Sequence, residues 1–112
     1  MAKPVKRIYS RYTLEATSLL GKLVRQARIE KKMTAQELSE RAGISRGLLQ
    51  RIEKGDPKCE LGAAFEVAAI VGVALFGSDV DQLALQGRHI DEKLALLPKA
   101  VHKGVQVVDD DF

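Results

Sequence analysis

Apolar residues recur along most of the chain at helical spacing, and alternation of apolar and polar positions is confined to 105–112. Over 13–32, Leu20, Leu23, Val24 and Ala27 fall at i, i+3, i+4 and i+7, which lines one face of a first helix, with Thr13 or Thr17 as its cap. Thr34 opens a second helix over 35–42. Glu37 stands three residues later, the arrangement in which each side chain accepts from the other residue's amide. Ala35, Leu38 and Ala42 turn inward on this helix, and Gly43 closes it, because the residue just past a helix end often needs the left-handed conformation. Ser45 caps a third helix running to Lys54, with Leu49 and Ile52 facing inward; Gly55 and Pro57 stop it. A fourth helix is predicted over 61–72, with Leu61, Ala64, Phe65 and Ala68 on one stripe. A fifth is predicted over 79–97, broken at Gly87 and ended by Pro98. The pattern is that of an all-α protein.

The second and third of these helices are short and joined by a tight turn, which makes a helix-turn-helix unit. Ala42 and Gly43 are small enough for a sharp turn, and Ile44 plugs the core so that the third helix stands proud. At about 100° per residue, Gly47 and Arg51 point away from Leu49, and Arg46 sits at the exposed N-terminal end. A major groove accepts such a helix, and arginine suits bidentate contact with guanine O6 and N7.

Composition sharpens this picture. The 112 residues are one domain's worth, 46% hydrophobic, 29% charged and only 4% aromatic. The longest apolar run, 61–76, contains Glu66 and two glycines and is shorter than the roughly 20 residues of a bilayer span. No apolar block follows the basic N-terminus, so no signal peptide is expected and a cytoplasmic, nucleoid-associated location is. The net charge of +3 conceals an asymmetry: residues 1–54 carry +8 and residues 55–112 carry −5. A basic half suits a polyanion such as double-stranded DNA. The single Cys59 allows no internal disulfide and reads as an inert small side chain, while His89 and His102 are far apart. With no glycine-rich phosphate loop and no nucleophile elbow, neither a metal, a cofactor nor a catalytic residue is expected.

The stretches LVRQAR at 23–28, MTAQELSERAGISRGLLQRIEKG at 33–55 and LGAAFEVAAIVGV at 61–73 resemble the Cro/C1-type (XRE) helix-turn-helix family. That resemblance implies a five-helix, lambda-repressor-like DNA-binding domain, followed here by a C-terminal dimerisation segment and a flexible tail. By family position Thr34 caps the first motif helix beside a phosphate, and Ser45, Arg46, Gly47 and Arg51 read bases, with Gln50 near the groove wall. Glu53 and Arg28 fall where the family has an ion pair, which also orients Arg28 toward a phosphate; Lys54 and Lys58 fall at backbone-contacting positions. Two residues depart from the family pattern. Ala35 stands where glutamine usually follows the capping threonine, with Gln36 one step late at the phosphate side, and Gly47 puts bare backbone at a reading position.

Within the family, the short length, the acidic end and the phrases RIYS at 7–10 and KLVRQ at 22–26 are similar to HipB-type antitoxins, which repress their own operon and bind a HipA-type kinase toxin. The organisation expected is a basic arm over 1–12, a DNA-binding domain over 13–77, a dimerisation helix over 78–104 and an acidic tail over 105–112. Lys3, Lys6, Arg7 and Arg11, with Tyr9 and Tyr12 between them, form the arm, which either grips DNA or is an ordinary solvated terminus. Leu48 either touches a thymine methyl or tucks beside the second helix. In the tail, Asp109, Asp110, Asp111 and Phe112 suit a partner pocket with a basic rim, or simply aid solubility. Val73, Leu75, Phe76, Val80, Leu83, Leu94 and Leu97 exceed what four short helices need to cover and are assigned to a homodimer interface, so the operator should be an inverted repeat. Two rivals remain: a free-standing phage or chromosomal repressor without a toxin, and an interaction module that keeps the fold without DNA affinity.

Overall fold

A computed structural model describes residues 8–101 and 103. The described residues form five α-helices and no strand: α1 (Arg11–Glu30), α2 (Ala35–Ala42), α3 (Arg46–Glu53), α4 (Leu61–Ile70) and α5 (Val80–Ala95). The chain divides into two compact units, Met1–Leu75 and Phe76–Phe112.

In the first unit α1 packs on α3, and α2 packs on both α3 and α4. Val24, Leu38, Leu49, Ile52, Ala63, Ala64, Val67, Ala68 and Val71 are buried together, with Leu20, Ala27, Met33, Ala35, Ala42, Ile44 and Leu48 packed against them. Three expected inward residues lie elsewhere. Leu23 is exposed, because the buried face of α1 is centred on Gly21 and Val24. On α4 the buried stripe is Ala63, Ala64, Val67 and Ala68, so Leu61 (71% exposed) and Phe65 face outward. That helix is apolar on nearly every side, so periodicity cannot choose its inner face; packing against α2 does.

The helix ends follow from local hydrogen bonding. Ser10, not Thr13 or Thr17, caps α1: its extended backbone places the side-chain oxygen where it accepts the Thr13 N–H at 3.2 Å. Thr17 instead donates to the Thr13 carbonyl inside the helix. Gly43 adopts φ +70°, and the Ile44 N–H reaches back to the Ser39 carbonyl at 3.0 Å, which drops Ile44 onto the core. Ser39, fully buried on α2, satisfies its hydroxyl by donating to the Gln36 carbonyl.

The second unit contains α5, capped by Asp79, whose carboxylate accepts the Gln82 N–H at 2.8 Å. The helix runs unbroken through Gly87, against the expected break. A lone glycine lowers helix stability by about 1 kcal/mol but removes no backbone hydrogen-bonding group, so the helix continues. Every residue of α5 is exposed. His102, the acidic tail from Val105 to Phe112, and Lys3, Lys6 and Arg7 of the arm lie outside the described residues.

Candidate nucleic-acid interface

The helix-turn-helix is built from two capped starts. The Thr34 hydroxyl accepts the Glu37 N–H at 3.0 Å while the Glu37 carboxylate accepts the Thr34 N–H at 2.8 Å. The Thr34 N–H first, and the Thr34 side chain second, hold the Glu37 carboxyl below its usual range. At the second start the Ser45 hydroxyl accepts the Leu48 N–H at 3.0 Å. At Ser45 the hydroxyl oxygen accepts, so its own proton can still be donated outward.

Beyond Ser45, α3 buries Leu49 and Ile52, and Leu48 is half-buried against the core, where it tucks in rather than facing out. The opposite face carries Arg46, Gly47, Gln50, Arg51 and Lys54, all exposed. A methyl group added at Gly47 would meet only the Ser45 hydroxyl, at 3.9 Å. The bare backbone there is therefore open space on the outer face and no requirement of packing.

Two of the expected DNA-contacting residues, Arg51 on α3 and Gln36 on α2, already have side-chain partners. Arg51 donates from Nε to Asp56 Oδ2 at 2.8 Å. The second carboxylate oxygen of Asp56 accepts the Lys58 N–H at 2.8 Å. That amide and the Arg51 guanidinium hold the Asp56 carboxyl below its ordinary value, and Asp56 in turn raises that of Arg51. Gln36 donates to Glu40 Oε2 at 2.6 Å along α2, a bond that competes with the expected phosphate contact.

Arg28 and Glu53 form the tightest feature beneath the exposed face. Nε and one terminal nitrogen of Arg28 donate to the two Glu53 oxygens at 2.8 and 3.0 Å, and the other terminal nitrogen donates to the Met33 carbonyl at 3.0 Å. The two side chains keep only 12% and 9% of their exposure. The Glu53 carboxylate raises the Arg28 pKa further, so the guanidinium stays charged. With three of its five N–H donors engaged, Arg28 ties the end of α1 to the end of α3 and to the entry of α2. The phosphate contact expected of it is in competition with that link.

Two residues that matter here escaped the sequence pattern. Gly21 is buried on α1, and a side chain there would collide with the backbone carbonyls of Ile52 and Glu53, the latter's oxygen standing 2.6 Å from the added carbon. A glycine inside a helical run was the available signal. Asp56 was the other; its position two residues after a helix end and before Pro57 marks a turn, but nothing local reveals its grip on Arg51.

Residues 24–75 match the family model described as Helix-turn-helix. The match supports the Cro/C1-type resemblance over that span, and the five-helix fold is consistent with a helix-turn-helix domain of the kind found in DNA-binding transcription regulators. No curated protein and no solved structure is similar enough to the chain to count as a match. Among the described residues, no helix is long and apolar enough to cross a membrane.

Proposed function

We propose that this chain is a sequence-specific transcriptional repressor that docks α3 in the major groove of an inverted-repeat operator, acting as a homodimer in the cytoplasm. The observation that carries this reading is the outer face of α3, where Arg46, Gly47, Gln50 and Arg51 stand exposed behind a capped turn. Ser45 offers a hydroxyl proton at its margin, Thr34 stands at the start of the first motif helix, and Lys54 and Lys58 supply cations for phosphates. Repression follows from occupancy of a promoter and needs neither catalysis nor a cofactor. Enrichment of duplexes from a random library by the full-length chain, followed by binding titrations at several salt concentrations, tests it. A two-fold symmetric consensus is the expected result; retention of no duplex sequence overturns it and favours the interaction-module reading.

The dimer reading is supported by α5. Val80, Leu83, Gly87, Ile90 and Leu94, continued at Leu97, recur at alternating intervals of three and four, the spacing of a helix–helix seam. The large members are exposed, Val80 at 80% and Ile90 at 53%. Replacing Leu83 and Ile90 together by Asp should convert a dimer to a monomer in sedimentation velocity; a wild-type chain that is already monomeric at micromolar concentration contradicts the reading.

The finer proposal is that the chain is the antitoxin of a HipA-type kinase. It is supported by the phrases at 7–10 and 22–26 and by the acidic ending Asp109, Asp110, Asp111 and Phe112. Co-purification of a kinase-sized partner from the native host, lost when the last four residues are removed, is the expected outcome. Purification without a partner favours the free-standing repressor.

A further inference from the structure

We propose that Asp56 is a positioning residue for base recognition, holding the Arg51 guanidinium in the orientation that reads one base pair. The inference rests on the DNA-binding reading above. Arg51 lies in the last turn of α3 with half its side chain exposed, and a free arginine there would sample many rotamers. Asp56 restrains it twice. The Asp56 N–H donates to the Arg51 carbonyl at 3.0 Å, closing the end of α3, and the Asp56 carboxylate accepts from Arg51 Nε at 2.8 Å. The carboxylate is itself fixed by the Lys58 N–H on its other oxygen. Side chain and backbone of one residue thus hold side chain and backbone of the other.

What remains of the fork after Nε is engaged is the pair of terminal nitrogens. Two parallel N–H groups at that end match guanine O6 and N7, the geometry in which arginine discriminates a base rather than merely attracting phosphate. The pair adds little to the fold, since exposed ion pairs are weak contributors and neither side chain belongs to the core. An arginine fixed before the duplex arrives has less freedom to lose on binding, and its orientation excludes contacts a flexible side chain would make with other bases.

The test uses the full-length chain and the consensus duplex that the wild type enriches, together with each single-base variant of it. Arg51→Ala should relax preference at one base pair of each half-site by about tenfold. Asp56→Asn should relax preference at the same base pair by a similar factor, and the double variant should be no less selective than Arg51→Ala. Because asparagine keeps an acceptor for the Lys58 N–H, Asp56→Asn should keep the fold and lower the unfolding temperature at neutral pH only slightly, by the small contribution of an exposed carboxylate, and Asp56→Glu should recover part of the selectivity. Asp56→Asn binding all duplexes more tightly by one common factor would show Asp56 to be only a repulsive charge near phosphate. That result, uniform weakening, or an unchanged preference overturns the role of Asp56 alone. A wild-type chain that enriches no duplex overturns this inference together with the DNA-binding reading.

Discussion

Single atoms decide whether α1 and α3 can approach. At Gly21 the missing side chain is the condition for contact, because the obstructing atoms are backbone and cannot rotate away. Gly21→Ala is expected to destabilise the first unit by about 2 kcal/mol or more, read as a lower urea midpoint. Gly62, on the exposed side of α4, has nothing within 4 Å of an added carbon. Gly62→Ala should raise the midpoint, by about 0.5 kcal/mol, so the two substitutions move stability in opposite directions. The Arg28–Glu53 link behaves like Gly21. Glu53→Ala leaves a largely buried guanidinium with only the Met33 carbonyl and should cost about 2–3 kcal/mol, measured by the same denaturation.

The helices depend on their first turns. Thr34→Ala removes one half of the reciprocal cap and should lower stability by about 1 kcal/mol. Acid should act at the same place. Glu37 and Asp56 have folded-state pKa values below those of an unfolded chain, so their stabilising contributions are complete above the unfolded values and disappear as pH falls through the folded ones. The thermal midpoint is therefore expected to be flat from neutral pH to about pH 5 and to fall below about pH 4. The Glu37→Gln, Asp56→Asn double variant should show a shallower fall; an acid limb as steep as the wild type's would place the responsible carboxylates elsewhere.

At the scale of the whole chain, the proposed binding of DNA by a homodimer would be governed by charge and symmetry. On the proposed function, the basic half would supply attraction to DNA without regard to sequence, so log affinity should fall linearly with log salt. Lys54→Ala and Lys58→Ala should each reduce that slope by about one per contacted phosphate and weaken all duplexes alike. Substitutions at Arg46 or Gln50 should instead change which duplexes are preferred. The exposed apolar stripe of α5 bears on the number of half-sites: the Leu83→Asp, Ile90→Asp variant should bind a single half-site as the wild type does and lose the gain from a second. An unchanged gain would remove α5 from the proposed dimer.

By itself the sequence determined the five helices, both caps of the helix-turn-helix, the left-handed Gly43, and the inward residues Val24, Leu38, Leu49 and Ile52. All of these follow from interactions within a few residues, where periodicity and side-chain chemistry act directly. The tertiary structure decided the inner face of α4, since an almost wholly apolar helix has no preferred side until a neighbour covers one. It also decided that Gly21 touches α3, because contact between residues remote in sequence leaves no periodic trace. The same holds for Asp56 and Arg51: the residues are five apart, but whether their side chains meet depends on how the chain turns after α3, and only the folded backbone fixes that.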